Sequence, residues 1–177
     1  PDKYSNVIQS VLLLDRLRKV NALIGYTRIE SYDEFAEEGD EVSMAPLSKH
    51  DLNWVPACEV HGEGIFIRFN EEKIRQWEQS EPVVKRNVML KAGYEGWRIA
   101  HHRNGNVGYP GARYYLLHTL AHLIIREFAL EYGYNAASIQ ERIYASNDDQ
   151  PMAGILLYTA AADSDGTLGG LVEDRKS

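Results

Sequence analysis

The sequence predicts an α/β or α+β fold, in which a mixed sheet containing a hairpin packs on a long central apolar helix. Three observations predict it. Residues 112–132 carry Leu116, Leu117, Leu120, Leu123, Ile124 and Phe128 around most of a helical circumference, and a helix apolar on most sides belongs against other elements. Residues 55–60 and 65–69 are two β-rich runs flanking His61-Gly62-Glu63-Gly64, the pattern of a hairpin. Gly154 to Thr159 is a compact apolar run of strand length.

Taken in chain order, residues 6–20 place Ile8, Val11, Leu12, Leu14 and Leu17 at three- and four-residue spacing, with Gln9, Asp15, Arg16 and Arg18 opposite. That spacing predicts an amphipathic helix. Leu23 to Ile29 reads as a short strand, and the acidic, turn-rich stretch from Glu30 to Met44 as a surface loop. After the hairpin, Asn70 is a natural N-cap, and Glu71 and Glu72 suit the positive end of a helix dipole, so residues 71–79 form a helix. A second helix covers Pro82 to Lys91. Gly93 to Gly111 holds five glycines and Pro110. It reads as too broken for a regular element, and so as a flexible or inserted segment. Gly133 ends the long helix. Ser138-Ile139-Gln140-Glu141 fits a capping box, which predicts a further helix there. The Gly154–Thr159 strand runs into a glycine-rich loop, Asp163 to Gly170, and no internal repeat is present.

Composition bounds the function classes. With 177 residues, 44% hydrophobic and 25% charged, the chain reads as one globular domain, 1–177, able to build a core without staples. A net charge of -7 argues against a nonspecific phosphate clamp, which carries a basic face. Cys58 is the only cysteine, which excludes a disulfide framework and an intramolecular cysteine-rich zinc site, and makes the cytoplasm the default compartment. On a β-rich run it reads as a buried, inert thiol. No apolar run approaches the roughly 20 residues of a membrane span. The chain opens on Pro1 rather than methionine and stops just after a glycine-rich loop, so it reads as a fragment of a longer chain.

Several constellations could carry chemistry. His118 and His122 stand four residues apart on the long helix, which puts both imidazoles on one face. The zincin pattern needs a glutamate directly after the first histidine, and Thr119 stands there instead. The plainer reading, that His118, His122 and Arg126 form the one polar stripe of a buried helix, is preferred over a metal site, and no metal ligand is assigned to these residues. In the Asp163 loop, Asp163, Ser164, Gly166, Thr167, Gly169 and Gly170 could cradle an anion at a strand end. They could equally make a tight turn, and they match neither the P-loop nor the dinucleotide fingerprint. Arg142 could pair with Asp163 or Asp165, or meet a phosphate. The His101-His102-Arg103 cluster reads as solvated surface, and the tyrosines of the second half as core residues with wet hydroxyls. These ten residues, from His118 to Gly170, are the candidate DNA or partner contacts. The alternative is a metal-dependent phosphodiesterase or nuclease in which His118, His122 and Asp163 hold the metal and Glu141 is the base.

From Trp54-Val55-Pro56-Ala57 onward the chain resembles the MrfA zinc-binding (MZB) domain. The likeness is clearest in His118-Thr-Leu-Ala-His122-Leu-Ile, Ser138-Ile-Gln-Glu-Arg-Ile-Tyr144 and the stretch from Gly154 to Val172. The domain occurs in MrfA-type DNA helicases and in the DrmB component of DISARM phage-defence systems. His61-Gly-Glu-Gly-Ile-Phe66 and the leading segment Val11–Val20 look more like the DrmB branch. The resemblance makes residues 54–177 the MZB-like core and 1–53 a lead-in. It implies a prokaryotic, non-catalytic accessory module of a helicase-containing DNA-processing complex. That module would contact a superfamily 2, DrmA-like helicase subunit, and DNA chiefly through the complex. ATP hydrolysis would belong to the partner, since no helicase motif is present. Family members bind zinc through a cysteine cluster, which here would have to fall beyond Ser177.

Overall fold

The computed structural model describes residues 4, 6–27, 44–101, 104, 108–132, 136–147 and 150–159. The strands are β1 (Ile8–Ala22), β2 (Gly25–Tyr26), β3 (Ala45–Pro46), β4 (Ala57–Phe69), β5 (Gln140–Tyr144) and β6 (Gly154–Thr159). The helices are α1 (Glu71–Glu78), α2 (Glu81–Ala100) and α3 (Gly111–Tyr132), with a 3₁₀ turn at Ala136–Ser138. The fold is α+β. The chain divides into two compact units, one of residues 1–19, 60–87 and 110–177, the other of 20–59 and 88–109.

The first unit is built on a four-stranded sheet in the order β1-β4-β6-β5. β4 and β5 each pair antiparallel with β6, in registers running from Glu63↔Thr159 to Arg68↔Gly154 and from Gln140↔Tyr158 to Tyr144↔Gly154. β6 is buried along nearly its whole length because it lies inside the sheet, which is why its sequence is continuously apolar rather than alternating. Leu117, Ala121 and Ile125 of α3 meet Ile155 and Leu157 of β6, together with Phe69, Ile74, Ile139 and Ala153, in one core. The opposite side of α3 is uncovered, with Leu123 51% and Leu130 68% exposed. The helix thus packs on one side through its apolar residues, and the expected central, wholly covered helix is not what the structure shows.

Four expectations are corrected. The segment 6–20 is strand β1, not a helix. A short apolar run fits either period, and pairing in the sheet decides between them. As the edge strand β1 leaves Val11 and Leu12 about half exposed. The supposed hairpin is a single strand, β4. Glu63 and Gly64 are paired with Thr159 and Tyr158, and a Cβ at Gly64 would lie 2.8 Å from the Leu157 carbonyl oxygen. This glycine marks close backbone approach rather than a turn. The second helix runs on through Gly93 and Gly96 to Ala100, where a predicted break gives way to a continuous α2. The capping-box segment starts no helix: Ser138 closes the 3₁₀ turn, and Gln140–Tyr144 pairs with β6. By contrast α1 begins as expected, with the Asn70 side chain accepting from the Lys73 amide.

Arg113 of α3 is 1% exposed. Its guanidinium grips Glu71 with a fork of 2.7 and 3.1 Å and Glu78 with a second of 2.8 and 3.2 Å, and also donates to the Ser146 carbonyl at 2.9 Å. Burial works against its charge, but hydrogen bonds to Glu78 and Glu71 and their carboxylate charges outweigh that, and the group is held above the ordinary arginine value. It ties α1, α3 and the segment leading to β6 into one body.

In the second unit β2 pairs antiparallel with β3, Gly25↔Pro46 and Tyr26↔Ala45. Arg98 is fully buried and donates from Nε to the Asn104 carbonyl at 2.6 Å. Among the described residues no helix is long and apolar enough to cross a membrane.

Candidate functional site

Because α3 has 3.6 residues per turn, Tyr114, His118 and His122 stack along one face. The Tyr114 and His118 rings lie parallel, 5.5 Å between centroids and 11° between planes. The His118 and His122 rings stand edge to face at 4.5 Å, with their Nε2 atoms 3.2 Å apart. The third member comes from β5. Alternation along this strand puts Glu141 on the side of Ile143, which packs on the core, while Arg142 is exposed. Glu141 Oε1 lies 2.7 Å from His118 Nδ1 and 3.5 Å from His122 Nε2.

Donor atoms of the three side chains all fall within 4.8 Å of one another, the one such group among the described residues. The site is graded in exposure: Glu141 is 18% exposed, His118 36% and His122 61%. Two of its atoms, His118 Nδ1 and Glu141 Oε2, are buried and make no hydrogen bond. His118 Nδ1 is close enough to Oε1 for one, but the direction is wrong, so proximity alone does not satisfy it. Two imidazoles and a carboxylate are the donor types of a borderline metal site, and no thiolate takes part.

The structure therefore brings together His118 and His122, expected as a pair, and Glu141, read both as a capping residue and, in the alternative, as a base beside them. Arg126 lies exposed on α3, one turn beyond His122. Arg142 stands off the cluster, its guanidinium 5.6 Å from the centre of the Tyr144 ring. Asp163, Ser164, Gly166, Thr167, Gly169 and Gly170 lie outside the described residues, as does Asp165. His101 packs on Trp97 with ring centres 4.4 Å apart; His102 and Arg103 are outside the described set. Cys58 is exposed, not buried. It sits at the start of β4, before Val60, the first buried position of that strand. Sequence reasoning also missed Arg113, for which only the glutamates spaced seven apart on one face of α1 were a signal.

Residues 120–175, about the last third of the chain, match the family model of the MrfA Zn-binding domain. Along nearly its whole length the chain is similar to DISARM protein DrmB from Bacillus paralicheniformis (strain ATCC 9945a / NCIMB 11709 / CD-2). The two are 35% identical over 180 residues, 98% of this chain. The chain spans 30% of the length of that protein.

Zinc is the metal that the family description names, and the residues answer it unevenly. A cysteine-built site needs several thiolates, and this sequence holds one, Cys58, which is exposed and outside the matched segment. A set of nitrogen and carboxylate donors does fit a cation: His122 and Glu141 within the matched segment, and His118 just ahead of it.

Proposed function

We propose that this chain is a non-catalytic accessory part of a DISARM-type antiviral defence complex, held to a superfamily 2, DrmA-like helicase subunit and reaching DNA through that complex in the cytoplasm. The observation that carries this reading is similarity to DISARM protein DrmB over 98% of the chain. Two physical features support protein contact over DNA contact. The net charge of -7 disfavours a broad phosphate-binding face. Apolar side chains stand exposed, Val11 and Leu12 on the edge strand β1 and Val88, Met89 and Ile99 on α2, as surfaces that pack on another protein do. Any ATP hydrolysis belongs to the helicase partner. Zinc of the cysteine-bound kind would be held by residues outside this chain, beyond Ser177.

The test is copurification of the protein carrying this chain with the helicase subunit, followed by the DNA-dependent ATPase rate of the pair. Association and a changed rate are expected. Failure to associate with any helicase, alone or with DNA, refutes the reading.

One observation favours a second reading, a metal-dependent phosphodiesterase: His118, His122 and Glu141 converge. It requires Asp163 to join them. Nuclease activity with Mn²⁺ or Mg²⁺ that disappears in His118→Ala supports it, and equal background in wild type and variant ends it.

A further inference from the structure

We propose that His118, His122 and Glu141 bind one divalent transition-metal ion of the zinc class, clipping α3 to β5. The site is separate from any cysteine cluster, and the proposal needs neither helicase nor DNA.

Spacing is the first ground. Ligand atoms about 2.0–2.2 Å from a shared tetrahedral ion lie about 3.3–3.6 Å from one another. His118 Nε2 to His122 Nε2 is 3.2 Å and His122 Nε2 to Glu141 Oε1 is 3.5 Å. His118 meets Glu141 through Nδ1, 2.7 Å from Oε1, so a ring or carboxylate rotation must accompany ligation; the donor atoms of the three side chains already lie within 4.8 Å of one another.

Unmet bonding is the second. Glu141 Oε2 and His118 Nδ1 are buried without a hydrogen bond, and buried polar groups generally have partners. A cation seated at the carboxylate gives the buried oxygen a charge to face.

Preorganisation is the third. The Tyr114 ring lies flat against His118, and β5 is fixed by five paired residues to β6, so two of the three ligands are held before any ion arrives. His122, 61% exposed, leaves an open approach. Donor chemistry selects the metal: imidazole nitrogen suits zinc, copper, iron and nickel, whereas magnesium and calcium take oxygen donors. Three protein donors leave a fourth position for water.

The test uses the full-length protein containing this chain, stripped of metal and titrated with Zn²⁺ against a chromophoric chelator, with Co²⁺ spectra in parallel. His122→Ala removes an exposed ligand and Glu141→Gln keeps the shape of a half-buried one, so the fold survives in both; Arg142→Ala, on the other side of β5, is the control. Each ligand variant should lose one bound equivalent relative to wild type, or at least about 10-fold in affinity at that site. The Co²⁺ it loses should lack thiolate charge-transfer bands, which separates it from any cysteine site elsewhere in the protein. Equal stoichiometry, affinity and spectra in wild type and both variants would overturn the proposal, as would an equal loss in Arg142→Ala; the cluster would then be a histidine–glutamate pair only.

Discussion

Replacing Arg113 with methionine tests the organisation of the first unit most directly. The side chain is 1% exposed and carries two bidentate carboxylate pairs, to Glu71 and Glu78, plus a bond to the Ser146 carbonyl. Methionine fills much of the volume, so the loss is chiefly electrostatic. Removing one partner of a buried ion pair costs about 3–5 kcal/mol. Glu71 and Glu78 are 26% and 21% exposed, and water can solvate them in part, which places the expected loss at the lower end, about 3 kcal/mol. For a chain of this size that corresponds to a fall in Tm of about 6–12 °C. Arg113→Lys retains the charge but not the fork and should lose an intermediate amount. Urea unfolding followed by circular dichroism measures both, and a double-mutant cycle with Glu78→Gln isolates the pair. A loss below about 1 kcal/mol in Arg113→Met would mean that the two carboxylate pairs do not hold α1 to α3. The sign of the pH effect also follows. Folding raises the pKa of Arg113, so its contribution is complete below the ordinary arginine value and is lost only as pH climbs through the higher folded value. Its own titration leaves stability flat across neutral and mildly alkaline pH.

Glycine substitutions should divide by location. A Cβ at Gly64 meets the Leu157 carbonyl at 2.8 Å and one at Gly154 meets the Phe66 ring at 2.9 Å, so alanine at either lowers stability by about 1–3 kcal/mol in urea melts. Gly93 and Gly96 face open space on α2, and alanine there raises helix stability by up to about 1 kcal/mol, read from the same melts. Leu117→Ala, at a fully buried core position, should lose about 2–5 kcal/mol, while Leu130→Ala, at 68% exposure, should change stability by less than about 0.5 kcal/mol. Native protein should react with a thiol reagent at Cys58 without denaturant, because that side chain is exposed; a peptide map showing Cys58 unmodified would contradict the structure.

Much of the candidate site was legible in part. The histidine pair follows from four-residue spacing on a strongly apolar segment, which needs only the helix to be recognised. Glu141 was legible only in the alternative reading, as a base beside the histidines, because Ser138 and Glu141 also satisfy a local capping rule. Its actual role depends on β5 pairing with β6, a contact set by the burial of Ile143 and Ile155 rather than by neighbours in sequence. Gly64 misled for a related reason: a glycine serves a turn or a close backbone approach equally well, and only the strand alongside distinguishes them.

The amino-acid sequence by itself determined the elements governed by short-range forces. These are α1 with its Asn70 cap, α3 with its apolar period and the uniformly apolar β6, together with the family resemblance carried by three motif blocks. Tertiary structure decided what depends on distant partners: β1 as an edge strand, β4 as one uninterrupted strand, Arg113 as the buried link between helices, and the meeting of His118 and His122 with Glu141. Helical caps and periods are settled by bonds within a turn of chain. Strand identity and side-chain convergence are settled by which remote segment supplies the missing hydrogen bonds and covers the apolar face.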